Sequence, residues 1–273
     1  MKSIIFVTQY FPPEIGGGSQ RSIGFVEELL KLGVDVTVVA PFPSYLMEKN
    51  QIEKQFRLFQ YKEENGIKIF RCFVYASDRG SFLKRMLYYL SFTFSASFVT
   101  LFKLKKFDYL LTISPPLFTG IVGVINKIFR RTKFIFDIGD LWPESAIQLG
   151  FLKNKTAIQI AEWLEKLIYK KSDVVNVVTK ITQEKFKSKF SFVKNVFYVP
   201  NFVDSNKMKK YEKDLTLQKG LSLEGKMVFG YAGNIGGAQG IKIITDAAKI
   251  TFENSNIVYM IIGDGVDKDL IKK

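Results

Sequence analysis

Three short stretches of this sequence combine residue types that can do chemistry. The first is Pro12-Pro13-Glu14-Ile15-Gly16-Gly17-Gly18-Ser19-Gln20-Arg21. It follows a strand-like run and opens a helical one, where backbone amides and the helix dipole suit a phosphate or carboxylate. Gly16 and Gly18 match two glycines of the dinucleotide fingerprint, but Arg21 stands in the third place. The second strand ends Val38-Val39-Ala40-Pro41, without the acidic residue that a ribose needs. NAD and FAD are therefore not expected, and the stretch is either a phosphate loop or a permissive turn. The second stretch, Gly233-Asn234-Ile235-Gly236-Gly237-Ala238-Gln239-Gly240, again joins strand to helix and suits a diphosphate. The third, Asp137-Ile138-Gly139-Asp140-Leu141-Trp142-Pro143-Glu144-Ser145, directly follows a strand. Pro143 suits the first turn of a helix, with Asp140 and Glu144 near its amino end. Carboxylates there either cap the helix or face a ligand group such as a sugar hydroxyl.

Composition narrows the chemistry further. The chain has 273 residues and no histidine, which removes every mechanism that needs an imidazole base. A single cysteine, Cys72, makes neither an internal disulfide nor a Cys₄ zinc site, and the compartment reads as reducing. Lys and Arg outnumber Asp and Glu by 40 to 26, a net charge of +14 that points to an anionic partner. Nucleic acid is not expected, because the positive charge is spread over several helices rather than gathered on a recognition helix.

The elements that must position these stretches alternate. Strand-like runs are Ser3–Thr8, Val34–Ala40, Ile67–Tyr75, Phe107–Ser114, Lys133–Asp137, Asp173–Thr179 and Asn195–Pro200. Helical candidates between them are Ser19–Leu32, Phe82–Lys105, Phe118–Arg131, Ala157–Lys171 and Thr182–Phe190. Near-continuous apolar strands separated by helices predict a parallel sheet covered on both faces, a Rossmann-like domain over residues 1–203. Residues 204–225, lysine-rich and poor in large apolar side chains, read as a linker. A strand over Met227–Ala232, a helix over Gln239–Phe252 and a strand over Ile257–Ile262 then start a second α/β unit, residues 226–273. One βαβ unit of this size has little core of its own, so the sequence is expected to stop inside that domain.

Met86 to Phe102 is the one long uncharged run. Lys84 and Arg85 precede it; Lys103, Lys105 and Lys106 follow. Its length sits at the lower limit for a membrane span, and five Ser or Thr residues reduce its apolar gain. The readings are a core helix, a helix lying on a membrane, or a span. No signal peptide is expected at the amino terminus.

Taken in order, four strings resemble one family. They are Gln9-Tyr10-Phe11-Pro12-Pro13-Glu14 with its glycines, Asp140-Leu141-Trp142-Pro143-Glu144-Ser145, Val199-Pro200-Asn201 through Asp204, and Tyr231-Ala232-Gly233-Asn234-Ile235-Gly236 with Gln239-Gly240. The chain resembles the family 4 glycosyltransferases of GT-B fold, and within them bacterial O-antigen and capsule enzymes similar to fucosamine transferases. The resemblance implies two Rossmann-like domains, an acceptor-side amino-terminal one and a donor-binding carboxyl-terminal one. It implies a UDP- or GDP-sugar donor, a polyprenyl-diphosphate-linked saccharide acceptor, no further cofactor, and work at the inner face of the plasma membrane. Carried over by position, Gly16, Gly17 and Gly18 approach the donor sugar and phosphates. Gly233, Asn234, Gly236 and Gly237 cradle the diphosphate. Asp140 lies by the acceptor side of the cleft, and Asp140 and Glu144 are the candidate catalytic residues. Lys84, Arg85, Lys103, Lys105 and Lys106 then meet anionic lipid headgroups. Two departures stand out. Asn234 and Gln239 occupy neighbourhoods where relatives carry cations. The family's Glu-x₇-Glu donor stretch falls beyond Lys273, which makes a catalytically inactive acceptor- or partner-binding remnant the alternative reading.

Overall fold

The computed structural model describes residues 2–44, 57–75, 82–206, 208–265 and 267–271. The chain divides into two compact units, Met1–Asp204 and Ser205–Lys273. The first opens with β1 (Ser3–Val7), α1 (Gly17–Lys31) and β2 (Asp35–Pro41), followed by β3 (Phe59–Glu64), β4 (Ile67–Cys72) and α2 (Phe82–Phe102). It continues through β5 (Tyr109–Ser114), α3 (Thr119–Arg130), β6 (Lys133–Ile138), α4 (Glu144–Gln148) and α5 (Lys155–Lys171). It closes with β7 (Val174–Val177), α6 (Lys180–Lys189) and β8 (Val196–Tyr198). The sheet order is β3-β4-β2-β1-β5-β6-β7-β8. Every neighbouring pair is parallel except the β3–β4 hairpin.

The expected parallel sheet is present, with one addition. β3 is an antiparallel edge strand, joined to β4 through Asn65 (φ 52) and Gly66 (φ 75). Its Gln60-Tyr61-Lys62-Glu63-Glu64 sequence is too polar to read as a strand, and it needs little apolar content because its far end is exposed.

The core lies on both sheet faces. Alternation along β1 sends Ile4 and Phe6 to one side, where Val26 of α1 joins them. Ile5 and Val7 turn to the other side, against Tyr88, Phe92, Ala96 and Val99 of α2 and Val122 of α3. The α2 residues recur at spacings of four, four and three, one stripe of a helix. Four of the five hydroxyls within this run, those of Ser91, Thr93, Ser95 and Thr100, bond inside the fold. Ser95 Oγ donates to Phe73 O at 2.6 Å, and Thr100 Oγ1 donates to Ala96 O at 2.9 Å and accepts from Asn126 Nδ2 of α3 at 2.8 Å. The opposite stripe, Leu83, Leu87, Leu90, Phe94 and Phe102, is exposed. No helix among the described residues is long and apolar enough to cross a membrane.

In the second unit, β9 (Met227–Ala232) and β10 (Ile257–Ile262) pair in parallel, flanked by α7 (Leu215–Gly220), α8 (Lys242–Ile250) and α9 (Lys268–Ile271). α7 lies within the stretch read as linker. Asp214 caps it, its Oδ1 accepting from Leu217 N at 2.9 Å. Lys207, one of the linker lysines, lies outside the described residues. The helix expected over Gln239–Phe252 is shorter: a 3-10 turn spans Gly237–Gln239 and α8 begins at Lys242.

Candidate functional site

The first glycine stretch lies past the carboxyl end of β1, where ligands of parallel sheets gather. Gly16, at φ 138, is the residue before α1, in a region that favours glycine. Gly17 and Gly18 are exposed. Glu14 is buried, and its Oε1 accepts from Ser44 N at 2.9 Å.

Arg21, where a third glycine would stand, is buried and uses all five of its N–H groups. Nε and Nη2 reach Asp137 Oδ2 and Oδ1, both at 2.9 Å. Nη2 also donates to Val199 O at 3.1 Å, and Nη1 donates to Pro200 O at 2.9 Å and Asn201 Oδ1 at 3.0 Å. Its guanidinium lies over the Phe25 ring, 4.8 Å from the centroid. Burial pushes the Asp137 carboxyl up, and the Arg21 guanidinium opposes that push. One side chain thus ties α1 to the end of β6 and to the Val199-Pro200-Asn201 string. Sequence reasoning quoted each partner separately and missed their meeting. The usable signal was a cation in the middle of the helix stripe that buries Ser19, Ser22 and Val26.

Asp140 follows β6 and is exposed. It does not cap α4, whose N-cap is Pro143 with no side-chain hydrogen bond. Glu144, four residues on, is directed elsewhere. Its Oε2 lies 3.2 Å from Lys189 Nζ of α6, and its Oε1 accepts from Gln148 Nε2 at 3.4 Å. Glu144 lines a cavity of about 270 Å³ with Pro143, Ile147, Gln148, Glu162, Glu165 and Lys189, and Asp140 is not among its walls. The two candidate carboxylates are therefore not walls of one cavity.

Glu165 is the unusual group there. It is buried, and Tyr169 OH donates to its Oε1 at 3.0 Å. Burial pushes its carboxyl up to about 7, against a smaller opposing pull from Lys189. The folded state therefore binds a proton that the unfolded chain has released between about pH 4.5 and 7, and stability falls as pH rises through that window. Glu165→Gln is expected to flatten this slope and to raise stability at pH 8 by about 2 kcal/mol, allowing for partial solvent screening. Urea titrations of both proteins at pH 5 and pH 8 check it; parallel pH dependences would contradict it.

In the second unit, the glycine stretch is braced from behind. Gly233 N donates to Ile262 O at 2.9 Å, Ile235 N to Asp264 O at 2.8 Å, and Asp267 N to Ile235 O at 3.1 Å. A Cβ on Gly263 would collide with Gly233 O, and one on Gly265 with Ile235 O. Gly263 and Gly265, which sequence reasoning did not single out, let two backbones approach closely. Gly233, Asn234 and Gly237 are exposed and Gly236 is buried. Asn234 Nδ2 donates to Gln239 Oε1 at 3.2 Å, and Tyr231 OH donates to Asn234 O at 2.7 Å. Among the described residues no three His, Cys, Asp or Glu side chains gather as a metal site.

The five cations flank the exposed stripe of α2. Lys84 and Lys103, Lys105 and Lys106 are exposed, and Arg85 is half-buried. Lys103 Nζ lies 5.7 Å from the Phe59 ring centroid and 5.8 Å from that of Phe98.

Comparison with known proteins follows the same lines. The model of the glycosyl transferase 4-like domain matches residues 16–201. A protein of Escherichia coli K12 named as a colanic acid biosynthesis glycosyl transferase, WcaI, is 25% identical over 281 aligned residues, covering 100% of this chain and 68% of its own length. Among solved structures, the catalytic domain of starch synthase IV from Arabidopsis thaliana, bound to ADP and acarbose, has a TM-score of 0.70 at 14% identity. That match covers 99% of this chain and 70% of the other. Anabaena HepE, in complex with UDP and glucose, has a TM-score of 0.61 at 16% identity, covering 98% of this chain and 63% of the other. The α/β architecture expected from the resemblance is shared with these GT-B glycosyltransferases.

Proposed function

The chain belongs to the glycosyl transferase 4-like family, and we propose that it serves the transfer of a sugar from a UDP- or GDP-linked donor to a polyprenyl-diphosphate-linked saccharide in surface polysaccharide assembly. The observation that carries this reading is the family match over residues 16–201, which takes in Gly16–Gly18, Arg21, Asp140 and the Val199-Pro200-Asn201 string. The name of the Escherichia coli relative, colanic acid biosynthesis, supports the polysaccharide setting. The nucleotides and sugars bound by the structural neighbours support the donor class.

In this reading residues 1–203 are the acceptor side and residues 226–273 belong to the donor side. Gly16, Gly17 and Gly18 approach the donor, and Gly233, Asn234, Gly236 and Gly237 offer backbone to the diphosphate. Asp140 acts toward the acceptor hydroxyl. Glu144, the second candidate carboxylate, is paired with Lys189 of α6. The direct test is incubation of the protein with labelled UDP- and GDP-sugars and a polyprenyl-diphosphate saccharide. Label entering the lipid fraction supports the reading, binding of the lipid-linked acceptor without transfer favours the non-catalytic alternative, and no binding of either a nucleotide-sugar or the acceptor overturns the transferase reading.

The same reading uses α2 as a membrane-facing element at the inner face of the plasma membrane. Its exposed Leu83, Leu87, Leu90, Phe94 and Phe102 suit the interface, and its flanking cations suit anionic headgroups. Each such cation adds roughly 1 kcal/mol near an anionic surface. Reversing Lys103, Lys105 and Lys106 to Glu is therefore expected to weaken sedimentation with anionic vesicles at least tenfold. Added salt should do the same to the wild type. Equal sedimentation of the two proteins would remove the membrane from the proposal.

A further inference from the structure

Between Phe82 and Lys133 the chain carries nine Lys and Arg residues and one acid, Asp108. That carboxylate is held at the start of β1, where its Oδ2 accepts from Ser3 N at 2.8 Å. α2 and α3 fall in this stretch and contain no acidic residue. α3 packs against both α2 and α5. All three helices cover one face of the sheet, where Tyr88, Val122 and Ile168 share a core with Ile5 and Val7. Their other sides form one outward layer, and the exposed stripe of α2 is its first strip.

α3 supplies the second strip. It buries Val122, Gly123 and Asn126, so Ile121, Ile125 and Ile128, spaced by four and three, lie on its outward stripe. Ile128 is exposed, and Phe129 beside it is 74% exposed. Arg130 ties this end to α2, with Nη1 donating to Thr100 O at 2.6 Å and Nη2 to Leu104 O at 2.8 Å. Phe102 and Phe129 thus belong to the same end of the layer, with exposed Lys103, Lys105, Lys106, Arg131 and Lys133. α5 supplies the third strip. Its buried stripe is Ala161, Glu165 and Ile168, which puts Trp163 on the opposite side, 63% exposed. Lys166 and Lys170, three and seven residues on, share that side and are exposed. Glu162 turns instead to the cavity beside Glu165.

Resting on the membrane reading of α2 above, we propose that an anionic bilayer meets the whole α2–α3–α5 layer, with Phe129 and Trp163 as interfacial anchors beyond α2. Exposed apolar faces of this extent mark interaction sites. This one is apolar at its centre and cationic at its rim, the pattern of helices that lie in a membrane interface. Nothing on α2 or α3 repels anionic headgroups, because neither helix carries an acid. A Trp side chain suits the headgroup level, where its ring is buried and its N–H stays wet. The strands then run along the bilayer surface, and α1, which packs on the opposite sheet face with Ile4 and Phe6, lies away from it.

The test uses the whole chain and vesicles of phosphatidylglycerol and phosphatidylethanolamine. Phe129→Ser and Trp163→Ser are each expected to weaken sedimentation with the vesicles roughly tenfold, as loss of one buried aromatic side chain implies. Both side chains are exposed in the free protein, so melting temperatures should stay within about 2 °C of wild type. Leu32→Ser, at an exposed site just past the end of α1, is the control and should leave sedimentation unchanged. The chain has two Trp residues, and Trp142 packs with Phe118 at a centroid distance of 6.0 Å. Vesicles with brominated acyl chains should therefore quench the wild-type fluorescence and leave that of Trp163→Phe unchanged. Wild-type binding that weakens on reversal of Lys103, Lys105 and Lys106, but not in Phe129→Ser or Trp163→Ser, overturns this proposal and leaves the reading of α2 standing. An equal loss in Leu32→Ser overturns the choice of face. A lipid-free dimer that Phe129→Ser converts to monomer, with vesicle binding unchanged, assigns the layer to a second copy of the chain instead. A wild type that binds no vesicles overturns the membrane reading beneath the proposal as well.

Discussion

Asp137→Ala is expected to cost the first unit about 3–5 kcal/mol, among the largest losses from any single side chain here. The cost does not measure the strength of the ion pair. It arises because Arg21 stays buried, with Nε and one Nη2 proton facing a void where the carboxylate stood. Removing both charges should therefore cost less than removing one. An Arg21→Met, Asp137→Leu double variant is expected to recover more than half of the lost stability, because it leaves no charge buried alone. Arg21→Lys should behave like a loss, since an ammonium cannot span Asp137, Val199, Pro200 and Asn201 from one fork. Arg21→Ala should also raise hydrogen exchange around Val199–Asn201, which accepts three of the five bonds. Urea unfolding followed by Trp fluorescence measures the energies. A double variant no more stable than Asp137→Ala would show that the pair itself, rather than the orphaned guanidinium, sets the cost.

Arg21 also shows where sequence reading stops. The parallel strands were legible because Ser3–Val7, Tyr109–Ser114 and Lys133–Ile138 carry near-continuous apolar runs that only a doubly covered sheet accommodates. Local signals also marked elements that were passed over. Asn65-Gly66 is a hairpin turn pair beside β3, and Asp214 caps α7 inside a stretch that looked like linker. Arg21 and Asp137 are 116 residues apart, and no local pattern announces their pairing. The run in α2 failed differently. Its buried and exposed stripes are both uncharged, so hydropathy could not separate the face against β1 and α3 from the face that is exposed. Asp140 and Glu144 both read as residues near the amino end of a helix that Pro143 opens, which makes them candidates together. α4 begins between them and carries Glu144 toward Lys189, while Asp140 stays on the turn that ends β6.

That separation predicts opposite outcomes for the two carboxylates. In the transfer assay, Asp140→Asn is expected to lower turnover by roughly 10²-fold or more, the loss typical of a group that handles a proton in the reaction. The substitution keeps shape and removes charge. Asp140 is exposed and does not cap α4, so melting should stay close to wild type. Glu144→Gln removes an ion pair between partly exposed side chains, which is worth no more than about 1 kcal/mol, and turnover should change less than threefold. The contrast matters more than either number, because both residues share one short motif. A general disturbance of the turn after β6 would depress both variants together. Asp140→Glu supplies the remaining control: it restores charge but displaces it by one methylene, so turnover should recover only in part if the carboxylate must meet a hydroxyl. Wild-type turnover in Asp140→Asn would exclude Asp140 from the chemistry. A 10²-fold loss in Glu144→Gln, with Asp140→Asn unaffected, would move the reacting carboxylate into the cavity beside Glu165 and Lys189 and reverse the assignment.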